Sequence, residues 1–228
     1  MSAPRNEHVR ALAAAAKRQA EDLKRWGIQQ VPRRRRAPST AMRALERQVQ
    51  ACTKCRLYRT ANRHVFGEGS LTAQLVFVGE GPGFEEDRQG RPFVGAAGQL
   101  LTKMIAAMGL TREAVYICNV IKHRPPENRL PEPDEVEACT PYLEAQLAAI
   151  KPRVICALGA VAAKALLGPD IAITRIRGQR QEYQGMVVVP TFYPAYLLRN
   201  PDAKRDVWKD LKLVMKLLES SPRITRPF

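Results

Sequence analysis

Short apolar runs alternate with stretches of helical periodicity between residues 74 and 218. The apolar runs cover residues 74–79, 114–121, 153–159 and 186–192, and the helical patterns cover 96–108, 134–150, 160–167 and 203–218. Strands that are apolar throughout and joined by helices are typical of a parallel sheet buried on both faces. The pattern therefore predicts an α/β fold in which helices cover both sides of a four-stranded parallel sheet.

The first 40 residues carry a different pattern. Residues 8–26 have the composition of an alanine-rich helix, and an arginine-rich segment bounded by prolines follows over 32–40. Because charge runs of this kind stay solvated, we predict a basic, flexible extension over residues 1–40 and one folded domain over 41–228. Thr40 is placed to cap a helix that continues to about Val49.

The charge of the chain indicates the class of its partner. The 228 residues carry a formal net charge of +15; residues 1–40 hold 10 Lys and Arg against 3 acidic residues, a net +7, and the remainder carries +8. Positive charge in both parts favours a polyanion, most simply nucleic acid. No apolar run reaches the roughly 18 residues of a membrane span, and no secretory signal opens the chain. We therefore expect a cytoplasmic monomer without a membrane partner.

The cysteines indicate a metal or cluster site. The chain contains five cysteines. An odd number of cysteines in a chain that is expected to be cytoplasmic argues against a disulfide scaffold. Cys52 and Cys55 form a C-x-x-C pair, whereas Cys118, Cys139 and Cys156 lie far downstream. Cys156, inside an apolar run, is expected to be a core residue.

Candidate ligand-binding residues follow the predicted strands, because ligands of parallel sheets bind outside the carboxyl ends of the strands. The first strand leads into "GEGPGFEEDRQGRPFVGAAGQLL". Its glycines allow a sharp turn and close approach to a ligand, and its Glu is placed to activate a water or bond a ligand edge, unless it is merely exposed. The string lacks the Lys-Ser/Thr ending of a phosphate-binding loop. The turn comprises Gly79, Glu80, Gly81, Pro82 and Gly83.

Three more side chains lie near strand ends. Phe93, in a loop flanked by glycine, is suited to stack on a planar base, and Asn119 offers amide donors and an acceptor to a base edge. Tyr193 follows the last strand in "PTFYPAYLLRNP". The simpler alternatives are a core phenylalanine, an asparagine that satisfies the backbone, and a tyrosine that only fills a wall.

These strings, together with "NVIKHRPPENR" and "ACTPYL", resemble the signature blocks of family 4 uracil-DNA glycosylases, the iron–sulfur type of bacteria and archaea. The resemblance extends from about residue 52 to 218. It implies a three-layer α/β/α sandwich that flips uracil out of DNA and hydrolyses its N-glycosidic bond, leaving an abasic site. Glu80 then activates water, Phe93 stacks on uracil and Asn119 reads its edge. Asn128 and Arg199 are implied to lie near the DNA.

The sequence departs from the family where Tyr193 replaces a histidine that donates a hydrogen bond to the departing base. Loss of one such donor costs roughly 10²–10³ in rate. We therefore expect weakened glycosylase activity or, alternatively, binding of damaged DNA without turnover. A shift to another deaminated base is the third reading, since Gly81 stands where many relatives carry alanine and is expected to leave slightly more room in the pocket.

A second departure concerns the [4Fe–4S] cluster that the resemblance implies. Cys52, Cys55 and Cys139 match three of its cysteine ligands, but His123 occupies the fourth position. We expect His123 to be the fourth ligand, as histidine ligation of iron–sulfur clusters is known. Cys118 is the competing ligand. The same residue types would also suit a Cys₃His zinc site.

Overall fold

The computed structural model describes residues 40–220. The helix expected over 8–26, nearly all of the expected extension and the residues after 220 lie outside the described part. Within it, the first helix begins at Thr40 and ends at Gln50, as the sequence predicted to within one residue.

A mixed sheet forms the centre of the fold. Four neighbouring strands, β3, β2, β4 and β6, are parallel, and the short strands β1 and β5 pair antiparallel at the two edges. The expected four-stranded sheet is therefore corrected to six strands in the described residues; the edge strands have two and three residues, too short for an apolar pattern. The strands are β1 Glu68–Gly69, β2 Leu75–Gly79, β3 Tyr116–Asn119, β4 Val154–Leu158, β5 Gln181–Tyr183 and β6 Met186–Thr191.

The four long helices downstream of the first end within one residue of the sequence prediction. Three helices were not predicted, because four to six residues give no helical periodicity. The α-helices are α1 Thr40–Gln50, α2 Phe84–Gln89, α3 Ala96–Ala107, α4 Pro133–Ile150, α5 Gly159–Leu167, α6 Ile173–Ile176, α7 Pro194–Arg199 and α8 Lys204–Glu219. Single 3₁₀ turns cover Arg56–Arg59, Pro126–Asn128 and Pro201–Ala203.

Two hydrophobic layers cover the sheet, so the three-layer α/β/α sandwich is confirmed. Along β2, Val76 and Val78 face a layer built from α1, α4 and α5, whereas Leu75 and Phe77 face α3, α7 and α8. This alternation follows from the two-residue period of a strand. Cys156 is fully buried in the second layer, as predicted. No helix in residues 40–220 is long and apolar enough to cross a bilayer.

The strand register brings the candidate residues to one edge of the sheet. Gly79 at the end of β2 pairs with Asn119 at the end of β3, and Leu158 at the end of β4 pairs with Thr191 of β6. The segments that follow these strands therefore lie side by side. The family resemblance and the parallel-sheet rule lead to the same edge.

Candidate active site

Close packing at the end of β2 defines the floor of the site. An ideal Cβ built on Gly79 would overlap Asn119 Oδ1 and lie 2.5 Å from Phe93 Cζ. No side chain fits there, so glycine is the residue that lets the Phe93 ring and the Asn119 amide approach the same backbone. The structure thus brings together three of the residues predicted for the site.

Phe93 is held in a strained conformation beside this floor. The residue is 4% exposed and has a φ of 52°, in the left-handed region that non-glycine residues rarely adopt. Arg112 Nη1 donates a hydrogen bond to its carbonyl oxygen at 3.0 Å. Arg112 Nη2 also bonds the Pro92 carbonyl oxygen at 2.8 Å and Glu68 Oε1 at 2.6 Å. The sequence analysis missed this clamp, whose members are distant in sequence.

Glu86 joins the two loops of the site. Its Oε1 accepts hydrogen bonds from the Val94 and Gly95 backbone N–H groups at 2.8 and 2.9 Å, and its Oε2 accepts one from the Gly83 N–H at 3.2 Å. One carboxylate therefore connects the glycine-rich turn to the Phe93 loop. The sequence analysis assigned no role to Glu86.

Asn119 presents an amide that the described protein does not use. The side chain is 1% exposed, and within residues 40–220 neither its Nδ2 nor its Oδ1 has a hydrogen-bond partner. Buried polar groups are nearly always hydrogen-bonded. The unpaired Asn119 amide next to Gly79 is therefore a candidate ligand-binding group. The buried Lys122 Nζ donates to the Asn119 carbonyl oxygen at 2.6 Å and to Gln146 Oε1 at 2.7 Å, which fixes the backbone.

Glu80 carries the ionisable group of the turn. It is half-buried, and its carboxylate has no hydrogen bond to another residue in the described part of the chain. Burial raises the pKa of Glu80 above that of an ordinary glutamate. A carboxylate that is partly desolvated and not hydrogen-bonded is a stronger proton acceptor than a solvated one.

Tyr193 forms the opposite wall. Its ring centroid lies 5.9 Å from that of Phe93, with the planes tilted by 50°. Burial, followed by the negative charges of Glu80 and Glu86, raises the pKa of the Tyr193 hydroxyl. The hydroxyl is therefore neutral at physiological pH and is able to donate a hydrogen bond. Gly159, with a φ of 85°, lies beside it: an ideal Cβ there would be 3.0 Å from Tyr193 Cβ.

Gly81 does not enlarge the pocket by itself. An ideal Cβ at this position would lie 2.6 Å from Ile121 Cγ1 and 2.7 Å from Ile121 Cδ1. Ile121, fully buried, therefore fills the space that an alanine methyl would take. The extra room expected at Gly81 is absent from this part of the described structure.

Comparison with known proteins decides the family. Residues 66–212 match the model of the uracil DNA glycosylase superfamily. A type-4 uracil-DNA glycosylase of Thermotoga maritima is 48% identical over 75% of this chain and 91% of its own length. Those of Sulfurisphaera tokodaii and Archaeoglobus fulgidus are 41% and 44% identical over 81% and 75% of this chain, and over 88% and 90% of their own lengths. The chain belongs to the type-4 uracil-DNA glycosylase family.

The two residues that this family implies near DNA are both exposed. Asn128 has a φ of 56° and its Oδ1 accepts a hydrogen bond from Arg124 Nε at 2.7 Å. Arg199 is the last residue of α7, on the segment that follows Tyr193. Their contact with DNA stays a prediction.

Type-4 uracil-DNA glycosylases are a family known to bind a [4Fe–4S] cluster, and in this chain Cys52 and Cys55 pack against the core layer that contains Cys139. Burial raises the pKa of Cys139 to about 11, and the charges of Cys55 and Cys52 raise it further. The backbone N–H groups of Lys122 and Leu57 act against burial and lower the pKa of Cys139 and Cys55, respectively. Thiols whose thiolate forms are favoured by neighbouring backbone N–H groups suit the ligands of a cluster.

Cys118, the competing ligand, lies elsewhere. It is fully buried in β3. Burial raises the pKa of its thiol and the charge of Lys122 lowers it, whereas the other cysteines are not among the causes of the shift. Its side chain packs in the core layer that contains α1 and α4. This placement agrees with a core cysteine.

His123 follows directly after Lys122, but the charges that shift the pKa of its ring come from other neighbours than the cysteines. Burial and then the charge of His64 lower the pKa of His123. Both histidines and Cys52 line a cavity of about 670 Å³. No set of three or more His, Cys, Asp or Glu residues within 40–220 is arranged to hold a metal ion. His64 lies in the loop before β1, and no local sequence pattern indicates its place beside His123.

Proposed function

We propose that the protein is a DNA-repair glycosylase that hydrolyses the N-glycosidic bond of uracil flipped out of DNA. The observation that carries this proposal is the orphaned Asn119 amide at the glycine floor, beside the Phe93 ring. A flat base with donors and acceptors on one edge would satisfy both groups at once. The high identity to type-4 uracil-DNA glycosylases supports uracil as that base.

Binding and recognition fall to Phe93 and Asn119 in this proposal. Extruding a base costs a few kcal/mol of stacking and pairing, which contact with the Phe93 ring partly offsets. The Asn119 amide donates to one polar atom of the pyrimidine edge and accepts from another. Gly79 has no side chain, which lets both groups reach the same stretch of backbone.

Glu80 and Tyr193 act on the reacting bond. The C1′–N1 bond breaks and leaves its electron pair on uracil, while a water oxygen adds to C1′. Glu80 accepts the proton that the water releases, and this proton finally neutralises the uracil anion. The Tyr193 hydroxyl donates a hydrogen bond to the charge that develops on the base.

The reaction is expected to stop at the abasic site. Cleavage of the strand by a glycosylase of this class would need an amine nucleophile. The amine of the buried Lys122 is hydrogen-bonded to the Asn119 carbonyl oxygen and to Gln146, so it is not free to attack C1′. We therefore predict no strand cleavage before alkali is added.

We further propose that Cys52, Cys55, Cys139 and His123 hold a [4Fe–4S] cluster with a structural role. When bound, the cluster would connect the segment after α1 to the start of the loop at His123 and to α4. Brown colour, visible absorbance and stoichiometric iron and acid-labile sulfide in the purified protein would support this assignment. Zinc in their place would overturn it, and a His123→Cys variant tests the fourth ligand through its changed spectrum.

Base release from a single-uracil oligonucleotide, scored after alkaline cleavage, tests the activity. Wild type should convert the substrate, and Glu80→Ala should lose most of the rate while still binding DNA. A wild type that binds uracil-containing DNA and releases no base would overturn the proposed hydrolysis.

A second candidate function is recognition of damaged DNA without turnover. Tyr193 favours it, because the raised pKa of its hydroxyl makes it a weaker donor than a charged histidine. Rescue of base release by Tyr193→His in a silent wild type would support this reading. Preference for another deaminated base is less favoured, because Ile121 fills the space beside Gly81. Monomeric state and cytoplasmic location remain predictions.

A further inference from the structure

An exposed aromatic ring follows the glycine-rich turn directly. Phe84 is the first residue of α2, one position after Gly83, and 57% of its surface is exposed. The mechanism proposed above does not use it. Single exposed apolar residues are common, so the neighbours of Phe84 decide whether it has a role.

The neighbour of Phe84 is an arginine held in place. The Arg124 guanidinium carbon lies 5.2 Å from the centroid of the Phe84 ring, a cation–π contact. Arg124 Nε donates to Asn128 Oδ1 at 2.7 Å, which restrains the guanidinium further. Glu127 and Asn128 both have φ near 55°, a conformation that orients this loop. One face of the ring is thus occupied by a cation, and much of the remainder is open.

The pair follows the two segments that carry Glu80 and Asn119. Beyond the strand ends, the Val120 N–H donates to the Gly79 carbonyl oxygen at 2.9 Å and the Ile121 N–H donates to that of Glu80 at 3.1 Å. The two segments therefore run together past Glu80 and Asn119. Phe84 lies four residues after Glu80, and Arg124 lies five residues after Asn119.

We propose that Phe84 and Arg124 bind the nucleotide adjacent to the flipped uracil. The open face of Phe84 stacks on the neighbouring base, which loses a stacking partner when uracil leaves the helix, and Arg124 contacts the phosphate between them. An aromatic ring suits any of the four bases, and a guanidinium suits a phosphate. This inference rests on the proposed function, because it requires a flipped base next to the pair.

Removal of the ring should weaken binding and turnover by a predictable factor. Base–aromatic stacking by alanine substitution corresponds to roughly 5- to 150-fold in affinity. Phe84→Ala should therefore lower kcat/KM within that range through KM, with kcat nearly unchanged, because the ring contacts no reacting atom. Phe84→Trp should keep the affinity and Phe84→Leu should lose it. Trp208→Ala, which removes a 37% exposed aromatic on α8, is the matched control and should bind as wild type.

A cycle between protein and DNA variants tests the contact itself. Wild type and Phe84→Ala are compared on oligonucleotides with uracil flanked by normal bases, or by a tetrahydrofuran abasic analogue on the 5′ or the 3′ side. The Phe84→Ala penalty should vanish for one of the two abasic flanks, since that DNA has no base to stack. An equal penalty on all three substrates, or no penalty at all, would overturn the proposal.

The same series of variants and oligonucleotides tests the stacking contact of Phe84 independently of uracil hydrolysis. Affinity for each oligonucleotide is measured by fluorescence anisotropy with Glu80→Ala as the background, so the cycle can be read without turnover. A wild type that releases no uracil but shows the flank-dependent penalty overturns hydrolysis and supports the stacking contact. Arg124→Ala should weaken binding on all flanks and reduce the slope of log affinity against log salt by about 1, whereas Arg124→Lys should retain that slope.

Discussion

The Phe93 and Tyr193 rings face each other across the site with their centroids 5.9 Å apart and their planes tilted by 50°. This separation lies in the range of favourable aromatic pairs. The tyrosine therefore has a packing role whatever its hydroxyl does. Only the hydroxyl group can donate a hydrogen bond to the departing base. Substitutions that change this group and keep the ring therefore separate the packing role of Tyr193 from its role as a donor.

Tyr193→Phe keeps the ring and removes the donor. If the hydroxyl stabilises the departing uracil, kcat should fall by roughly 10- to 1000-fold while KM changes little. Tyr193→His should raise kcat above wild type, because a protonated imidazole is a stronger donor. Single-turnover base release measures both. A Tyr193→Phe rate equal to that of wild type would assign Tyr193 to the wall alone.

The pH dependence of base release should follow Glu80. Burial raises the pKa of this carboxyl, so it becomes protonated at a higher pH than an ordinary glutamate. The carboxylate is the proton acceptor, hence kcat should fall about tenfold per pH unit below this raised pKa. Glu80→Gln should be slow and lose that acidic limb. An unchanged limb in Glu80→Gln would assign the titration to another group.

The same shift has a consequence for stability. A carboxyl with a raised pKa in the folded state contributes stability that is fully present below its unfolded pKa and is lost as the pH rises through its folded pKa. Glu80→Gln should therefore stabilise the fold most at neutral pH and little in acid. Urea unfolding of both proteins across this window measures the difference, and Glu85→Gln is the exposed control.

Asn119→Leu should trade activity for stability. The buried amide has no partner in the described part of the chain, and leaving such a group unsatisfied costs about 1–3 kcal/mol. A leucine of similar shape removes that cost, so the urea midpoint should rise while base release falls below detection. Asn119→Asp should lower both the urea midpoint and the rate of base release, because it buries a charge. A lower midpoint for Asn119→Leu would show that the amide is already bonded in the folded protein.

The sequence predicted the parts of this site that local rules determine. Apolar runs locate the four parallel strands, and their carboxyl ends locate Glu80, Asn119 and Tyr193 at one edge. The edge strands were missed because Glu68 and Gly69 carry no apolar pattern and pair with β3 only through the fold. The space beside Gly81 was misjudged for the same reason: the residue that fills it, Ile121, lies 40 positions away. Distant partners of this kind leave no local signal.

Glu86 also contacts residues that no local sequence pattern indicates. Its loss should disturb the site more than the fold. It accepts hydrogen bonds from three backbone N–H groups, those of Gly83, Val94 and Gly95. A hydrogen bond to a charged acceptor is worth about 1.5–3 kcal/mol, but Glu86 is only half-buried, so water replaces part of the three bonds when the carboxylate is removed. Glu86→Ala should lower the free energy of unfolding by about 2–4 kcal/mol and reduce kcat strongly, since Phe93 and the glycine turn lose their common anchor.

Glu85→Ala provides the matched control for that change. Glu85 precedes Glu86 in the same helix, but among residues 40–220 it bonds only the side chains of Arg88 and Gln89 at the surface. Exposed pairs of this type contribute at most about 1 kcal/mol, so stability and kcat should stay close to wild type. Urea unfolding and single-turnover base release on both variants measure the contrast. Equal effects of the two substitutions would mean that α2 as a whole, rather than the Glu86 carboxylate, positions Phe93.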